Sequence, residues 1–411
     1  MIRSLITAEA VMGALRRTAG IVRRTPVDFS ATFSAMTDCQ VYLKLENLQK
    51  TGSFKIRGAL NKISLLAEGK RPAGVVAASA GNHAQGVAYA AARVQIPCVI
   101  VMPKGAPLSK VAAAEGYGAK VLLAGADYDS AYQRAQELAS QTGAVLVHAF
   151  DDEEVIAGQA TLGIELAEDL RFADAVLVPA GGGGLLAGVS FILKERLPRI
   201  KVIGVQAQGA SSLVRSFYTG QLVEEAGSGT FADGIAVKRP GEKTFAIIQK
   251  YVDEMVAVSD EQIAGAVLYL LERSKVVAEG AGACALAALL CGRVRLKKGS
   301  VAAVIISGGN IDTNALSVII ERGLIQSGRR AHISATISDR PGSLSKLLLA
   351  IASARANIIS VNHDRTLTGI PWQSAVVEVV LETAGPEHMK EVVSRLTKAG
   401  FQITHREKTL Y

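Results

Sequence analysis

Residues 74–103, GVVAASAGNHAQGVAYAAARVQIPCVIVMP, decide the fold class of this chain. The segment opens with the apolar run VVAA and turns through SAGNH. It continues as an alanine-rich helical stretch and ends in a second apolar run, CVIVMP. Two apolar runs joined through a glycine-containing turn and a helix are typical of parallel strands linked by a crossover. The segment therefore predicts a parallel α/β sheet.

The same alternation recurs along most of the chain. KVLLAG precedes DSAYQRAQELASQTG, and AVLVHAF, DAVLVPA, KVIGVQA and SVAAVIISGGN are further strand-like runs. An eightfold repeat of the TIM-barrel kind is not visible in the sequence. We therefore expect one or two open parallel sheets covered by helices.

Composition agrees with a large α/β enzyme. The chain has 411 residues, which is enough for two or three domains, and 49% of them are hydrophobic but only 5% aromatic. Its 40 glycines and its many small aliphatic residues suit buried parallel strands under helices.

Charge and hydropathy disfavour nucleic-acid, membrane and secreted classes. The formal net charge is +8, but basic and acidic residues are mixed, and the clusters RRTAGIVRRTP and KKGS are not interleaved with aromatic residues. Apolar runs do not reach transmembrane length, and Glu9 interrupts any signal-like start. A cytoplasmic protein without a nucleic-acid or membrane partner is expected.

The four cysteines favour a reducing compartment. Cys39, Cys98, Cys284 and Cys291 form no CxxC pair, and most stand in apolar surroundings. Reduced, buried thiols fit this pattern better than a structural zinc site or a disulfide framework.

The sequence changes character near residues 323–330, GLIQSGRR, a polar and basic connector. The segments that follow read as strand, helix, strand, strand, helix and strand, the order of a ferredoxin-like unit. We predict three parts: a main domain over residues 1–322, a linker over 323–330 and a separate domain over 331–411. Within the main domain, a smaller subdomain over about residues 50–145 is inserted into a larger one.

Three glycine-rich turns follow strand-like runs in the main domain. They are SAGNHAQG at 79–86, PAGGGGLLAG at 179–188 and SGGNIDTN at 307–314. Ligands of open α/β sheets bind at the carboxyl ends of strands, so the three turns are expected at one site. The four glycines at 181–184 open a helix, and their N–H groups suit a single phosphate group. The pattern is neither GxGxxG nor a P-loop, which disfavours a nucleoside triphosphate.

Lys55, in TGSFKIRGA at 51–59, falls in the first turn of a predicted helix. The helix dipole is positive there, which is unfavourable for a cation. The preceding Thr51, Gly52 and Ser53 suit a turn and an N-cap. The helical period is set by the apolar residues Ile56, Leu60, Ile63 and Leu66. Burial and the helix dipole should both lower the pKa of Lys55, which favours a neutral, nucleophilic amine. A phosphate site together with a Schiff-base lysine points to pyridoxal phosphate.

These motifs in this order, TGSFKIRGA, SAGNHAQG, GGGG and SGGN, resemble the serine/threonine dehydratase family of fold-type II pyridoxal-phosphate enzymes. The resemblance covers about residues 7–325. It implies a lyase that converts L-threonine to 2-oxobutanoate and ammonia, and also L-serine to pyruvate. The tail from about residue 332 resembles an ACT domain, an amino-acid-sensing module, through ISDRPGSLSKLLLAIASARANI. Such domains pair, so a homodimer or homotetramer is expected.

The resemblance also implies roles for single residues. Lys55 would carry the cofactor and then act as general base at the substrate Cα. Asn82 would bond the phenolic oxygen of the cofactor, and Ser307 would meet its pyridine nitrogen. The remaining cofactor-binding residues would be Phe54, Gly181, Gly182, Gly183, Gly184 and Leu185. The residues around the substrate carboxylate would be Ser79, Ala80, Gly81 and His83.

Two differences from related serine racemases bear on whether this chain racemises its substrate and whether it binds a metal. Those enzymes have a serine at the position of Ala80, which works on the opposite face of Cα, so one-sided chemistry with little racemisation is expected. They also bind a divalent cation through carboxylates in the stretch that matches GVQAQGASS. Gln206 and Ser212 stand there, so no metal site is predicted, and a monovalent cation is left open.

For the ACT-like tail, the resemblance implies an effector site for isoleucine or valine. Its expected residues are Asp339, Arg340, Gly342, Ser343, Leu344 and Asn357. A purely structural dimerisation module is the alternative. For the whole chain, two alternatives stay open: a serine or hydroxyaspartate dehydratase or racemase, and an amino-acid-binding regulator that lacks catalysis.

Overall fold

The structure is a computed structural model that describes residues 5–227 and 229–405. Residues 1–4, 228 and 406–411, which belong to the predicted main and C-terminal domains, lie outside the described residues. The chain divides into two compact units, Met1–Asp312 and Thr313–Tyr411. Among the described helices, none is long and apolar enough to cross a membrane.

The first unit alternates strands and helices, as the sequence predicts. Its strands are β1 (Val27–Phe29), β2 (Gln40–Leu45), β3 (Val75–Ala78), β4 (Cys98–Met102), β5 (Lys120–Leu123), β6 (Val145–Leu146), β7 (Ala175–Pro179), β8 (Lys201–Ala207), β9 (Glu254–Val258) and β10 (Val301–Ile306). Its helices are α1 (Ala8–Thr18), α2 (Ala31–Thr37), α3 (Lys55–Glu68), α4 (Asn82–Arg93), α5 (Leu108–Gly116), α6 (Tyr128–Thr142), α7 (Glu153–Asp169), α8 (Gly184–Arg196), α9 (Ser212–Thr219), α10 (Glu242–Tyr251), α11 (Asp260–Tyr269) and α12 (Gly280–Leu290).

Two sheets organise this unit. The larger has the order β1-β2-β10-β7-β8-β9, and all its pairs are parallel except β1 with β2. The smaller has the order β5-β4-β3-β6 and is parallel throughout. The prediction of an α/β fold with parallel sheets is therefore confirmed. The sequence analysis did not predict β1, β2 or β9.

Helix α3 links the cores of the two sheets. Its apolar residues Ile56, Leu60 and Ile63 are fully buried in the core of the smaller sheet. Its polar side meets α7, and the two backbones approach closely where Gly158 lies against the Arg57 carbonyl. A side chain at residue 158 would collide with that carbonyl. The apolar side of α3 therefore packs into the core of the smaller sheet. Its polar side packs closely on α7 because Gly158 has no side chain.

A buried cluster of charges lies at this junction. The Arg57 guanidinium donates to Glu46 at 2.8 Å and to Glu165 at 2.7 Å, and the Lys44 ammonium donates to Glu165 at 2.6 Å. All four side chains are at most 6% exposed. Two cations and two carboxylates balance one another, which makes it possible to bury them together.

The second unit has a different architecture. Its strands are β11 (Arg330–Ser338), β12 (Asn357–Asp364), β13 (Ser374–Glu382) and β14 (Gln402–His405), and its helices are α13 (Thr313–Gln326), α14 (Ser343–Ser353) and α15 (Pro386–Lys398). The sheet order is β12-β13-β11-β14 with every pair antiparallel. This is the βαββαβ arrangement of the prediction, with one helix in front. Because α13 runs to Gln326, the first half of the predicted linker is helical.

Three of the four thiols are buried as predicted. Cys39, Cys98 and Cys284 lie inside the first unit, and burial raises the pKa of Cys98 to about 12. Cys291 is exposed, because it follows the last residue of α12 at the surface. The prediction of a buried thiol is wrong for Cys291.

Candidate active site

A cavity of about 460 Å³ opens between the two sheets of the first unit. The turns after β3, β7 and β10 all line it, through Ser79, the glycines after Pro179 and Ser307. These turns are the three glycine-rich motifs of the sequence. The structure therefore brings them together at the carboxyl ends of their strands, as expected for an open α/β fold.

Lys55 reaches this cavity from the first turn of α3. The preceding turn places Thr51 at φ +63° and Gly52 at φ +72°, and the N-cap residue is Phe54 rather than one of the predicted polar residues. The Lys55 ammonium donates to the Ala149 carbonyl at 2.9 Å. Burial lowers the pKa of Lys55 to about 8, and the Glu279 carboxyl opposes this shift only partly. A minor fraction of the amine is thus neutral near physiological pH, and this fraction is far larger than for a lysine with the ordinary pKa.

The glycine loop at residues 181–184 has no room for side chains. A Cβ at Gly181 would lie 2.9 Å from the Ile235 backbone, and one at Gly182 would collide with the Phe150 ring. Gly183 caps α8 at φ +97°, a conformation that favours glycine. Thr244 fixes the loop by donating to the Gly182 carbonyl at 2.7 Å.

This loop presents backbone donors to the cavity. Leu185 and the four glycines all line it. The first N–H groups of α8 lack acceptors within the helix, and the helix dipole is positive there. The arrangement suits an anion of the size of a phosphate group. The Phe150 ring, which sequence reasoning missed, covers the loop from the other side.

The turn after β3 offers a second set of donors. Ser79, Ala80 and Gly81 line the cavity just before α4 begins, and the Gly81 N–H donates to the Ser79 hydroxyl at 3.1 Å. The start of α4 adds further free N–H groups. This turn suits a carboxylate.

The His83 side chain is not a donor to that turn. Its Nε2 lies 2.9 Å from the Val147 carbonyl, which can only accept, so Nε2 carries the proton. Burial, followed by the nearby Lys55 charge, lowers the pKa of His83 to about 3, so the ring is neutral. Within the described residues, its Nδ1 has no hydrogen-bond partner. Only the backbone of His83 can therefore donate to a substrate carboxylate.

Asn82, Glu279 and Asn310 form a chain of hydrogen bonds on one wall. Asn310 Nδ2 donates to Asn82 Oδ1 at 2.7 Å, and Asn82 Nδ2 donates to Glu279 Oε1 at 2.6 Å. Burial and the neighbouring Asp233 raise the pKa of Glu279 to about 7. Sequence reasoning missed Glu279; the only signal was an acidic residue directly before the small-residue helix GAGACALAALL.

Ser307 and Phe54 meet at the floor of the cavity. Ser307 is 3% exposed, and its hydroxyl donates to the Ala281 carbonyl at 3.5 Å. The Phe54 N–H donates to the Ser307 carbonyl at 3.1 Å, and the Lys55 ammonium lies 5.3 Å from the centre of the Phe54 ring. A hydroxyl, an aromatic ring and the lysine thus face the same space.

These residues fit pyridoxal phosphate. The glycine loop has a shape and a set of donors for one phosphate, and a partly neutral lysine lies in the same cavity. Ser307 offers an uncharged partner for a ring nitrogen, and Asn82 offers an amide for a ring oxygen. All the predicted cofactor and substrate residues line this one cavity.

Two ion pairs join the smaller subdomain to the larger one at the mouth of the cavity. Lys110 on α5 pairs with Asp233, and Asp129 on α6 pairs with Lys238 at 2.6 Å. All four residues line the cavity. The pairs therefore connect the two sides of the cavity at its exposed edge.

In the stretch GVQAQGASS, for which no metal site is predicted, Gln206 and Ser212 make hydrogen bonds within the protein. Gln206 Oε1 accepts from the Val214 N–H at 2.8 Å, and Ser212 donates to the Val237 carbonyl at 3.1 Å. Across residues 5–227 and 229–405, no group of three or more His, Cys, Asp or Glu side chains suits a metal ion.

The predicted effector residues of the second unit do not all lie together. Asp339, Arg340, Gly342, Ser343 and Leu344 form the turn into α14, where Gly342 caps the helix at φ +87°. Asn357 pairs with Glu382 at one end of β13, whereas Asp339 bonds Gln373 beyond the other end. The length of β13, about 26 Å, separates them. The prediction that Asn357 is near this turn is therefore wrong within one chain.

Comparisons with known proteins agree with the geometry. Residues 18–308 match the family described as pyridoxal-phosphate dependent enzyme. The chain is 49% identical over 399 residues to the L-threonine ammonia-lyase of Thermotoga maritima, which covers 97% of this chain and 99% of that one.

Solved structures give the same result. A threonine deaminase from T.th. superposes with a TM-score of 0.71 at 41% identity, over 74% of this chain and 99% of that one. Maize serine racemase superposes with a TM-score of 0.74 at 34% identity, over 78% and 99%. The expected type II fold of the first unit is thereby confirmed. With the lysine, the glycine loop and the serine around one cavity, the chain belongs to the pyridoxal-phosphate dependent enzyme family.

Proposed function

We propose that this chain is a pyridoxal-phosphate-dependent L-threonine ammonia-lyase. It converts L-threonine to 2-oxobutanoate and ammonia, and L-serine to pyruvate. The observation that carries the proposal is the Lys55 amine, whose pKa is lowered to about 8 in a cavity shared with the glycine loop and Ser307. The identity of 49% to an L-threonine ammonia-lyase over nearly the whole chain supports it.

The residues of the cavity divide the work. When bound, pyridoxal phosphate supplies an electron sink for the negative charge that develops at the substrate Cα. The N–H groups at residues 181–185 would hold the phosphate, and the Asn82 amide would bond the phenolic oxygen. Lys55 Nζ would be the attachment point of the cofactor, and its neutral amine would take the proton from the substrate Cα.

Ser307 favours elimination over transamination. A hydroxyl beside the pyridine nitrogen leaves that nitrogen uncharged, whereas a carboxylate would keep it protonated. The cofactor ring would then withdraw electrons less strongly from the substrate Cα. Loss of the β-hydroxyl would therefore be favoured over transamination. Ser307 is 3% exposed, so water would not replace its hydroxyl beside the ring nitrogen.

The turn after β3 orients the substrate. Ser79, Ala80 and Gly81, with the backbone N–H of His83, would bind its carboxylate at the start of α4. A fixed carboxylate directs the Cα–H bond toward Lys55, which gives the proximity that catalysis needs.

A substrate panel tests the proposal. Purified protein with pyridoxal phosphate should form 2-oxobutanoate from L-threonine and pyruvate from L-serine. Substitution of the exposed Lys120 by alanine is the matched control and should leave both rates unchanged. The absence of keto acid from a protein that carries the cofactor would reject the activity.

A racemase or another dehydratase is the rival within the same fold. Maize serine racemase superposes on the chain, but Ala80 has no hydroxyl with which to move a proton. A chiral assay on L-serine and a trial with hydroxyaspartate separate these activities from threonine deamination. An amino-acid-binding regulator without catalysis would instead lack the visible absorption of bound cofactor.

For the second unit, we propose an ACT regulatory domain over about residues 331–411, joined through 323–330 to a catalytic domain over 1–322. Its antiparallel βαββαβ sheet and the turn into α14 support this assignment. The ion pair between Asp339 and Arg365, at 2.7 Å, fixes the turn where isoleucine or valine would bind. We expect a cytoplasmic homodimer or homotetramer.

Activity on threonine with and without isoleucine or valine tests this regulatory role. Substitution of Asp339 by alanine should weaken any effect of the amino acid. If neither amino acid changes the rate or binds, the domain serves assembly alone.

A further inference from the structure

The Asn82 amide is held from both sides by residues with no assigned role. Asn310 donates to its oxygen at 2.7 Å, and its nitrogen donates to Glu279 at 2.6 Å. Asn310 belongs to the third glycine-rich motif, and Glu279 precedes α12. The amide is therefore clamped between two loops of the larger subdomain.

The direction of these hydrogen bonds is fixed by a carbonyl at one end. Asn310 Nδ2 also donates to the Thr51 carbonyl at 2.7 Å, and a carbonyl can only accept. The nitrogen of Asn310 therefore faces both acceptors, so the oxygen of Asn82 faces Asn310. The Asn82 nitrogen then faces Glu279 and uses one hydrogen there. Its second hydrogen is left for the cavity.

The position of the Glu279 carboxyl is explained by its hydrogen bond from Asn82. It is the N-cap residue of α12, yet its carboxyl bonds Asn82 rather than the helix start. The backbone of Gly308 encloses it, since a Cβ there would lie 2.5 Å from Glu279 Oε1. The residue is 5% exposed. A buried carboxyl bonded to an amide is costly for stability, which points to a functional reason.

We propose that Glu279 and Asn310 are positioning residues, which orient the Asn82 amide so that its remaining N–H points at the phenolic oxygen of the cofactor. The inference rests on the proposed function, because it takes Asn82 as a cofactor ligand. Without either residue, the amide can rotate about its soft terminal torsion. The cofactor oxygen would then meet the amide oxygen for part of the time, and its electronic state would change.

Three variants test the clamp. Glu279→Ala removes the acceptor, Glu279→Gln keeps an acceptor oxygen, and Asn310→Ala removes the donor on the other side. Asn61→Ala is the matched control, because Asn61 is 1% exposed and also bridges two elements, donating to the Glu154 carbonyl at 2.7 Å. All four proteins are loaded with pyridoxal phosphate, and thermal melting shows whether each is folded.

The visible absorption spectrum of the bound cofactor is the first measurement. Glu279→Ala and Asn310→Ala should shift the absorption maximum or the balance of its bands, while Asn61→Ala and Glu279→Gln should keep the wild-type spectrum. We expect kcat on L-threonine to fall roughly 10- to 100-fold in the two clamp variants, as for small misplacements of a reacting group. KM should change less. A purely structural role would lower stability without these spectral changes.

Coupling to Asn82 is the sharper measurement. Asn82→Ala should itself alter the spectrum, and Glu279→Ala added to it should have little further effect on spectrum or kcat, because the two residues act through one contact. Additive losses would overturn the proposal, as would wild-type spectra for both clamp variants. A wild-type protein that binds no pyridoxal phosphate would instead reject the proposed function, and the inference with it.

Discussion

Lys55 and Arg57 lie two residues apart on α3, and the protein surrounds their charges in opposite ways. Arg57 meets two buried carboxylates, Glu46 and Glu165, at 2.7–2.8 Å. Lys55 instead donates to a carbonyl, that of Ala149. Pairing keeps Arg57 charged and raises its pKa, whereas burial lowers the pKa of Lys55 to about 8. The structural cation, Arg57, is therefore paired with buried carboxylates. The candidate catalytic amine, Lys55, is not, and this is why it loses its proton more easily.

The largest expected effect is on catalysis. In Lys55→Ala, kcat on L-threonine should fall roughly 10³-fold or more, because the general base is lost together with the attachment point of the cofactor. The visible absorption of the bound cofactor should disappear. The melting temperature of the cofactor-free protein should change little, since among the described residues Lys55 forms no ion pair and donates only to the Ala149 carbonyl. Retained turnover would contradict its role.

The complementary change should affect stability. Arg57→Met leaves the buried Glu46 without its cation and Glu165 with Lys44 alone. It should lower the free energy of unfolding by about 3–5 kcal/mol. Urea denaturation measures this loss. The exposed Arg134→Met, which breaks a surface pair with Glu137, is the control and should change stability by less than about 1 kcal/mol. An equal loss in both variants would remove the contrast between paired and unpaired cations.

The pH dependence of cofactor loading sharpens the contrast. Only the neutral amine attacks an aldehyde, so loading should follow the deprotonated fraction of Lys55. With a pKa of about 8, the loading rate should rise about tenfold from pH 6 to 7 and level off above pH 9. Stopped-flow absorbance measures it, and a lysine peptide, whose rate keeps rising toward its normal pKa, is the control. A plateau only above pH 10 would show that burial does not activate Lys55.

The smallest expected effect is a new side activity. Ala80→Ser places a hydroxyl that can transfer a proton in the cavity. L-serine should then be racemised, at a rate roughly 100-fold below elimination. Ala80→Val adds volume but no group that can transfer a proton, and it serves as the control. Chiral chromatography measures D-serine. Equal racemisation by the wild-type protein would show that Ala80 does not restrict proton transfer to one face.

Local patterns were enough to predict much of the fold. The strands β3, β4, β7, β8 and β10 are apolar runs followed by turns, and both the period and the turn are visible in the sequence. β2 was missed because Lys44 interrupts its apolar run. That lysine is fully buried, and its partner Glu165 is 121 residues away. Single-sequence reasoning has no access to such a pairing.

The site shows the same limit. Lys55 and the glycine loop carry local signals, namely a cation at a helix start and four consecutive glycines. Glu279 and Phe150 have no such signal, because each acts through contacts with distant segments. Asn310 lies in the third glycine-rich motif, but its contacts with Thr51 and Asn82 are equally distant in sequence. Asn357 was misplaced for a related reason, since the register of β12 on β13 decides which end of the sheet it occupies. Register follows from pairing, which one sequence does not reveal.

The glycine loop has a consequence at the level of the gene. Every glycine codon begins with two guanines, and a missense change in either position yields a residue that carries a Cβ. At Gly181, Gly183 and Gly184 that atom would lie 2.8–3.0 Å from Ile235, Ile248 or Phe150, and at Gly182 it would meet the Phe150 ring. A nonsense change there would truncate the chain before Ser307, so a twelve-base segment of the gene is expected to tolerate only silent substitutions. Saturation mutagenesis would show it as a gap among the active variants.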